Sequence, residues 1–177
     1  MLNSVVRTLL LLCLLIATSP ARATSPGVSA STPVAGCTEP EYRRLDFRLG
    51  AFDVTGIGGA RAGESRVVSM LQGCLLVEEW HGAISGEGRA HMFYDRLEKR
   101  WHLIYLTDDG ATLYLAGNFA GDALVLQGEN DFDAFTGLHR MSFSPLPGDR
   151  SLQRWELSAD GGRTWTLLHE GTFVRRH

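Results

Sequence analysis

Trp101-His102-Leu103-Ile104-Tyr105-Leu106-Thr107-Asp108-Asp109-Gly110 contains the unit that decides the fold. Aromatic, bulky and β-branched side chains run from Trp101 to Thr107, and two acids with a glycine end the run. The first set fits a pleated, half-buried surface and the second a tight turn. Alternation puts Trp101, Leu103 and Tyr105 on one face and His102, Ile104 and Leu106 on the other. Both faces are partly apolar, so the pattern leaves open which one is inside.

Outward from this unit the same grammar repeats from Gly50 to the C-terminus. Turn signals fall at Gly58-Gly59, Gly73, Gly86, Asp95 to Arg100, Gly121-Asp122, Gly128 to Asp131, Pro147-Gly148-Asp149 and Asp160-Gly161-Gly162. Between them lie about ten short runs rich in Leu, Val, Thr, Tyr, Phe and Trp, with no helical stretch. In Ser151 to Leu157, Gln153, Trp155 and Leu157 share one face, and Leu152, Arg154 and Glu156 the other. No proline lies between Glu41 and Ser144, which suits uninterrupted ladder pairing. The expectation is an all-β domain, a single antiparallel up-and-down barrel of about ten strands, over a sandwich.

The N-terminal part reads differently. Arg7, the apolar run Leu9 to Ala17 and the small-x-small site Ala21-Arg22-Ala23 make residues 1–23 a signal peptide. A membrane anchor would need about 20 apolar residues, roughly twice what is there. Residues 24–36, mostly Ser, Thr, Pro, Ala and Gly, read as a flexible leader before a barrel domain at 37–177. The expected location is therefore outside the cytoplasm, periplasmic or secreted. Removing Arg7 and Arg22 leaves 15 Lys and Arg against 20 Asp and Glu, a balance of −5. A mildly acidic chain without basic clusters argues against nucleic acid or anionic membrane as partner, and no integral membrane segment remains after cleavage.

Cys13 leaves with the signal, and the two remaining cysteines, Cys37 and Cys74, most economically form a disulfide. Closing such a loop is worth about 3 to 4 kcal/mol in the chain-entropy model. Val34-Ala35-Gly36-Cys37 has the look of a lipoprotein-processing box but stands too far beyond the apolar core to act as one. Thr38-Glu39-Pro40-Glu41 fits a capping box at the start of a short helix. Leu45, Phe47 and Leu49 then alternate into the first strand, and the helix plugs one end of the barrel.

Few motifs carry chemistry. Ser158-Ala159-Asp160-Gly161-Gly162-Arg163-Thr164-Trp165 matches the Asp-box of sialidase-like propellers, but a single copy predicts a hairpin turn and no glycosidase. His81, His91, His102, His139, His169 and His177 show no His-x-His or HExxH spacing. Among them His169 shares a face with Trp165, Leu167 and Phe173, and if inward would ligate haem or hydrogen-bond a ligand. Glu78-Glu79 places one acid inside, either as a general acid with a desolvated carboxyl or paired with arginine. Gly63-Glu64-Ser65-Arg66-Val67 lacks the second glycine of a nucleophile elbow, and no helix follows Gly56-Ile57-Gly58-Gly59 to make a dinucleotide loop. The sequence offers no catalytic residue, no metal ligand set and no cofactor motif.

The entry run Arg44-Leu45-Asp46-Phe47-Arg48-Leu49-Gly50-Ala51-Phe52-Asp53-Val54 adds a resemblance. With Gly73-Cys74, Phe93-Tyr94-Asp95, Arg100-Trp101-His102 and the Ser158 to Trp165 box, the chain resembles a bacterial family of exported domains of unknown function. That family is similar to calycin-type barrels: lipocalins, fatty-acid-binding proteins and nitrobindins. Members usually have Trp where this chain has Arg48 and Phe52. The resemblance implies a barrel and export, and no agreed catalytic residues. The resulting expectation is a barrel that binds a small, largely apolar molecule between Trp80, Trp101, Tyr105, Gln153 and Trp155. The alternatives are an envelope-interaction domain with a filled core, and a haem-binding or hydrolytic barrel built on an inward Glu with a nearby His. Oligomeric state is not legible.

Overall fold

A computed structural model describes residues 36–177. The signal peptide expected at residues 1–23, and nearly all of the leader expected at 24–36, lie outside the described residues. The chain enters through a one-turn helix α1 (Pro40–Arg43) and a 3-10 turn (Asp46–Arg48). Ten strands follow: β1 (Gly50–Thr55), β2 (Arg61–Met70), β3 (Leu75–Gly82), β4 (Glu87–Asp95), β5 (Arg100–Thr107), β6 (Thr112–Ala120), β7 (Ala123–Phe132), β8 (Phe135–Leu146), β9 (Arg150–Ser158) and β10 (Thr166–Arg175). Each pairs antiparallel with its chain neighbours, and β1 pairs with β10, as in Val54 opposite Phe173, so the sheet closes into a barrel. The fold class expected from the turn spacing is the one found. Among the described residues, no helix is long and apolar enough to cross a membrane.

Three local expectations are corrected. Gly128 to Asp131 is strand, and the turn is Asp133-Ala134, where Asp133 takes a φ of 53°. The polar run stays extended because Glu129, Asn130 and Asp131 pair with Leu138, Gly137 and Thr136 of β8. On its other side Asn130 reaches across to Tyr114 of β6, accepting from its N–H (2.9 Å) and donating to its C=O (3.0 Å). A side-chain amide thus continues the ladder where backbone pairing with β6 has ended.

The second correction is the capping box. The N-cap is Glu39, with no side-chain cap, and Glu41 instead accepts the indole N–H of Trp101 at 2.9 Å. Trp101 is 1% exposed, so its donor would otherwise be buried unpaired. That penalty, about 1 to 3 kcal/mol, matches or exceeds the roughly 1 kcal/mol a cap supplies. Third, residues 45 to 49 do not alternate. The 3-10 turn puts Leu45 and Arg48, three apart, into the interior, both fully buried.

These inward groups close one end of the barrel, where the β2–β3, β4–β5, β6–β7 and β8–β9 connections lie. Arg43 Nη2 donates to the Gly73 carbonyl (2.7 Å) and Arg44 Nη2 to that of Gly121 (2.8 Å). Tyr42 packs edge-on against Tyr94, and Arg175 donates to the carbonyls of Leu49 and Phe47. The Cys37–Cys74 disulfide, with Cα atoms 4.9 Å apart, ties the segment before α1 to the start of β3. Inside the plug, Leu45, Phe52, Met92, Trp101, Leu115, Leu124 and Phe143 form a filled core.

Candidate functional site

At the other end the barrel is hollow. A cavity of about 260 Å³ is walled by Glu78, Trp80, Leu103, Tyr105, Phe132, Met141, Gln153, Trp155, His169 and Phe173. Ser85, Asp108, Asp109 and Asp133, from the β3–β4, β5–β6 and β7–β8 connections, stand at its mouth.

The space exists because inward-facing glycines let large rings lie back against the wall. A Cβ on Gly88 would sit 2.3 Å from the Tyr105 hydroxyl and 2.6 Å from its ring; one on Gly63 would sit 2.8 Å from the Trp80 ring. Gly171 does the same for His169, with its imidazole Nε2 at 3.0 Å. A larger residue at Gly88 would push the Tyr105 ring across the lumen, and one at Gly63 would also meet the His81 carbonyl at 2.4 Å, so that the strands themselves would have to shift.

The floor is an ion pair. Arg48 Nη2 meets Glu78 Oε1 at 2.8 Å, and the same oxygen accepts the Ser65 hydroxyl at 2.5 Å. The Arg48 guanidinium lies 4.0 Å from the Phe173 ring centre and 5.1 Å from that of Phe143, fully buried. Glu78 is the inward member of the Glu78-Glu79 pair, and the arginine-paired arrangement is the one present. Glu79 points out to Arg89 at 2.7 Å.

The walls are held in place by their own partners. Trp155 Nε1 donates to His139 Nδ1 (3.0 Å), and His139 Nε2 lies 2.9 Å from the Phe135 carbonyl. An indole N–H only donates and a carbonyl only accepts, so His139 is the neutral tautomer with its proton on Nε2. Burial pushes the Tyr105 phenol up to about 12, and the nearby Glu78, Asp108 and Asp109 charges add to the shift. Burial also holds the His169 imidazole below its ordinary value, with the Glu170 charge pulling the other way. Both Tyr105 and His169 line the cavity, and among the described residues neither hydrogen-bonds to another side chain.

Of the five residues proposed from sequence, Trp80, Tyr105, Gln153 and Trp155 meet on the cavity wall. Trp101 does not join them; it lies in the plugged half, bonded to Glu41. His169 and Phe173 face the cavity, but Leu167 is 42% exposed. A bulge between Leu167 and His169, which pairs His169 with Trp155 and Leu167 with Glu156, reverses the alternation there. Trp165 precedes β10 and carries Arg140 over its ring at 3.8 Å. Sequence reasoning missed Phe132 and Asp133, since the supposed turn at Gly128 to Asp131 hid them. The better signal was Phe132-Asp133-Ala134-Phe135, two aromatics flanking a two-residue hairpin loop.

Other sequence motifs settle away from the cavity. Asp160 accepts the N–H groups of Arg163 (3.0 Å) and Thr164 (2.9 Å) and the hydroxyls of Thr164 (2.7 Å) and Ser158 (2.7 Å). Gly162 sits at a φ of 90° and the box is a hairpin turn. Those hydrogen bonds, the Thr164 hydroxyl first, hold the Asp160 carboxyl down at about 2. On the outer wall near the plug, Asp95, Glu98 and His102 bring their ligand atoms within 4.8 Å of one another. His102 stacks on Phe93 there and reaches Tyr114 Oη at 2.7 Å through Nδ1.

The arrangement defines a class: a closed antiparallel β-barrel with one plugged end and one cavity open through an acidic mouth. No protein-family model and no curated protein sequence matches the chain.

Proposed function

We propose that this chain is an exported barrel that binds a small organic ligand in its hollow end. One observation carries the reading: inward glycines keep a cavity of about 260 Å³ clear in a barrel whose other half is packed solid. An apolar protein cavity of roughly 150 Å³ already accepts benzene, and drug-sized ligands occupy roughly 300 to 1,000 Å³. The size favours a one- or two-ring molecule or a short chain over haem or a long fatty acid. Gln153, Tyr105 and His169 give the apolar walls polar handles. Glu78 is engaged by Arg48 and Ser65, which supports a structural floor over a hydrolytic role. The Cys37–Cys74 bridge favours an oxidising compartment, in keeping with the signal peptide read at residues 1–23. Kinship with calycin-type barrels is part of this proposal and rests on the sequence motifs together with the barrel.

The test is a titration of intrinsic tryptophan fluorescence with hydrophobic dyes, short fatty acids and haem. Trp80 and Trp155 line the cavity, so saturable quenching or blue shift by a small probe is expected, and Trp155→Phe should diminish it. No saturable change with any probe would sink the ligand-binding reading and favour an envelope-interaction domain.

A further inference from the structure

We infer that the ligand of this cavity is a small organic cation, an amine or quaternary ammonium on an apolar body. The inference rests on the ligand-binding reading above and adds the charge of the ligand to it. Among the described residues, the cavity is lined by four acids, Glu78, Asp108, Asp109 and Asp133, and by no lysine or arginine. Glu78 is paired with Arg48 beneath the wall (2.8 Å), while none of the three mouth aspartates is ion-paired among the described residues. Asp108 accepts the Glu87 N–H (3.1 Å) and Asp109 the Thr107 hydroxyl and the Ala111 N–H (3.2 Å), so these carboxylates are held in their turns with no cation against them, and the mouth carries net negative charge. Low-dielectric walls concentrate such a field and raise the local concentration of counter-ions.

Two further observations agree. The phenol of Tyr105, raised first by burial, is raised further by Glu78 and by the mouth acids Asp108 and Asp109, so the charge at the mouth is felt at the cavity wall. The walls are aromatic: Trp80, Tyr105, Phe132, Trp155 and Phe173 present ring faces and edges around the same space. Phe132 and Trp155 meet edge-to-face at 5.1 Å. Ring faces attract cations, and the attraction grows as water is excluded. An anion would meet repulsion at the mouth and find no lysine or arginine lining the cavity. A cation entering body first would keep its charged end among the mouth aspartates, near water, which limits its desolvation cost.

The experiment uses the protein expressed from the full chain and three probes of matched size: 2-phenylethylamine, 2-phenylethanol and 3-phenylpropanoate, titrated by calorimetry. The amine is expected to bind saturably, roughly tenfold more tightly than the alcohol, with the carboxylate weakest. Added salt should weaken the amine and leave the alcohol unchanged. Asp133→Asn removes a charge at a residue with φ 53°, a conformation asparagine tolerates. It should weaken the amine several-fold without moving the alcohol or the melting temperature. Equal or tighter binding of the alcohol or carboxylate overturns the cation assignment and leaves the cavity a ligand site. Binding of a neutral dye with none of the three probes does the same. No saturable binding of any probe or dye overturns both readings.

Discussion

The two ends of this barrel are built from the same alternating strands, yet one is solid and the other hollow. At the plugged end, inward side chains are large and the N-terminal segment meets the polar groups: Glu41 takes the Trp101 indole N–H, and Arg43 and Arg44 take the Gly73 and Gly121 backbone carbonyls of the turns. At the open end, Gly63, Gly88 and Gly171 give the rings somewhere to lie other than the middle. Barrel size alone does not produce a cavity. Closing one mouth with chain and thinning the opposite wall with glycine does. Between the halves sits the Arg48–Glu78 pair, the floor of one and the roof of the other.

The largest expected effect comes from breaking that boundary. Arg48→Met removes one partner of a buried pair and strands Glu78 at 6% exposure. The expected cost is about 3 to 5 kcal/mol, read by urea unfolding. Arg48→Met with Glu78→Leu should recover most of it, since replacing both charges is often close to neutral. A single variant costing less than about 1 kcal/mol would show that the pair does not hold the two halves together.

Next comes the plug. Cys37→Ala with Cys74→Ala should lower stability by about 2 to 4 kcal/mol and make the chain around Thr38 to Tyr42 protease-sensitive. Dye binding at the hollow end should survive, because no cavity residue touches the bridge. Labelling of free thiols at both positions in the native protein would contradict the bridge itself.

Gly88→Ala sharpens the comparison from the other side. Its methyl group would stand 2.3 Å from the Tyr105 hydroxyl, the far end of a movable side chain. The ring should swing into the lumen, with ligand or dye affinity lost and stability changed by about 1 to 3 kcal/mol at most. Unchanged binding would mean that glycine does not make the cavity.

The smallest effect concerns the surface turn. The Asp160 carboxyl is held at about 2, below the ordinary value of about 3.9 for an unfolded chain. A depressed folded value means that the contribution is fully present above about pH 4 and disappears as the pH falls through about 2. Asp160→Asn should flatten the acid limb of the unfolding curve in that window and leave neutral-pH ligand binding untouched. An identical acid limb in both proteins would show that the carboxylate adds nothing to the turn.

Most of the scaffold was legible in the residues because its signals are local. Asp108-Asp109-Gly110 and Gly121-Asp122 end strands through backbone preferences that do not depend on the rest of the chain. Where polar residues could serve two purposes, local reading failed. Asn130 looks like a turn former and is a strand residue, because its amide bonds to a neighbouring strand far away in sequence. Glu41 looks like a capping residue and serves Trp101 instead. The candidate site was partly legible: parity placed Tyr105, Gln153 and Trp155 together, while the bulge before His169 and the depth of Trp101 along the barrel were invisible to parity.

The sequence by itself determined an antiparallel β-domain of about ten strands, the economical pairing of Cys37 with Cys74 and the turn at Asp160, since each follows from the preferences of residues near in sequence or from their count. Only the tertiary structure decided which acid is paired, which tryptophan faces the cavity and which end is open. Those outcomes depend on distances between residues far apart in the chain, such as Arg48 to Glu78 at 2.8 Å and the Gly88 wall to the Tyr105 ring, and such distances are fixed by closure and register of the whole barrel.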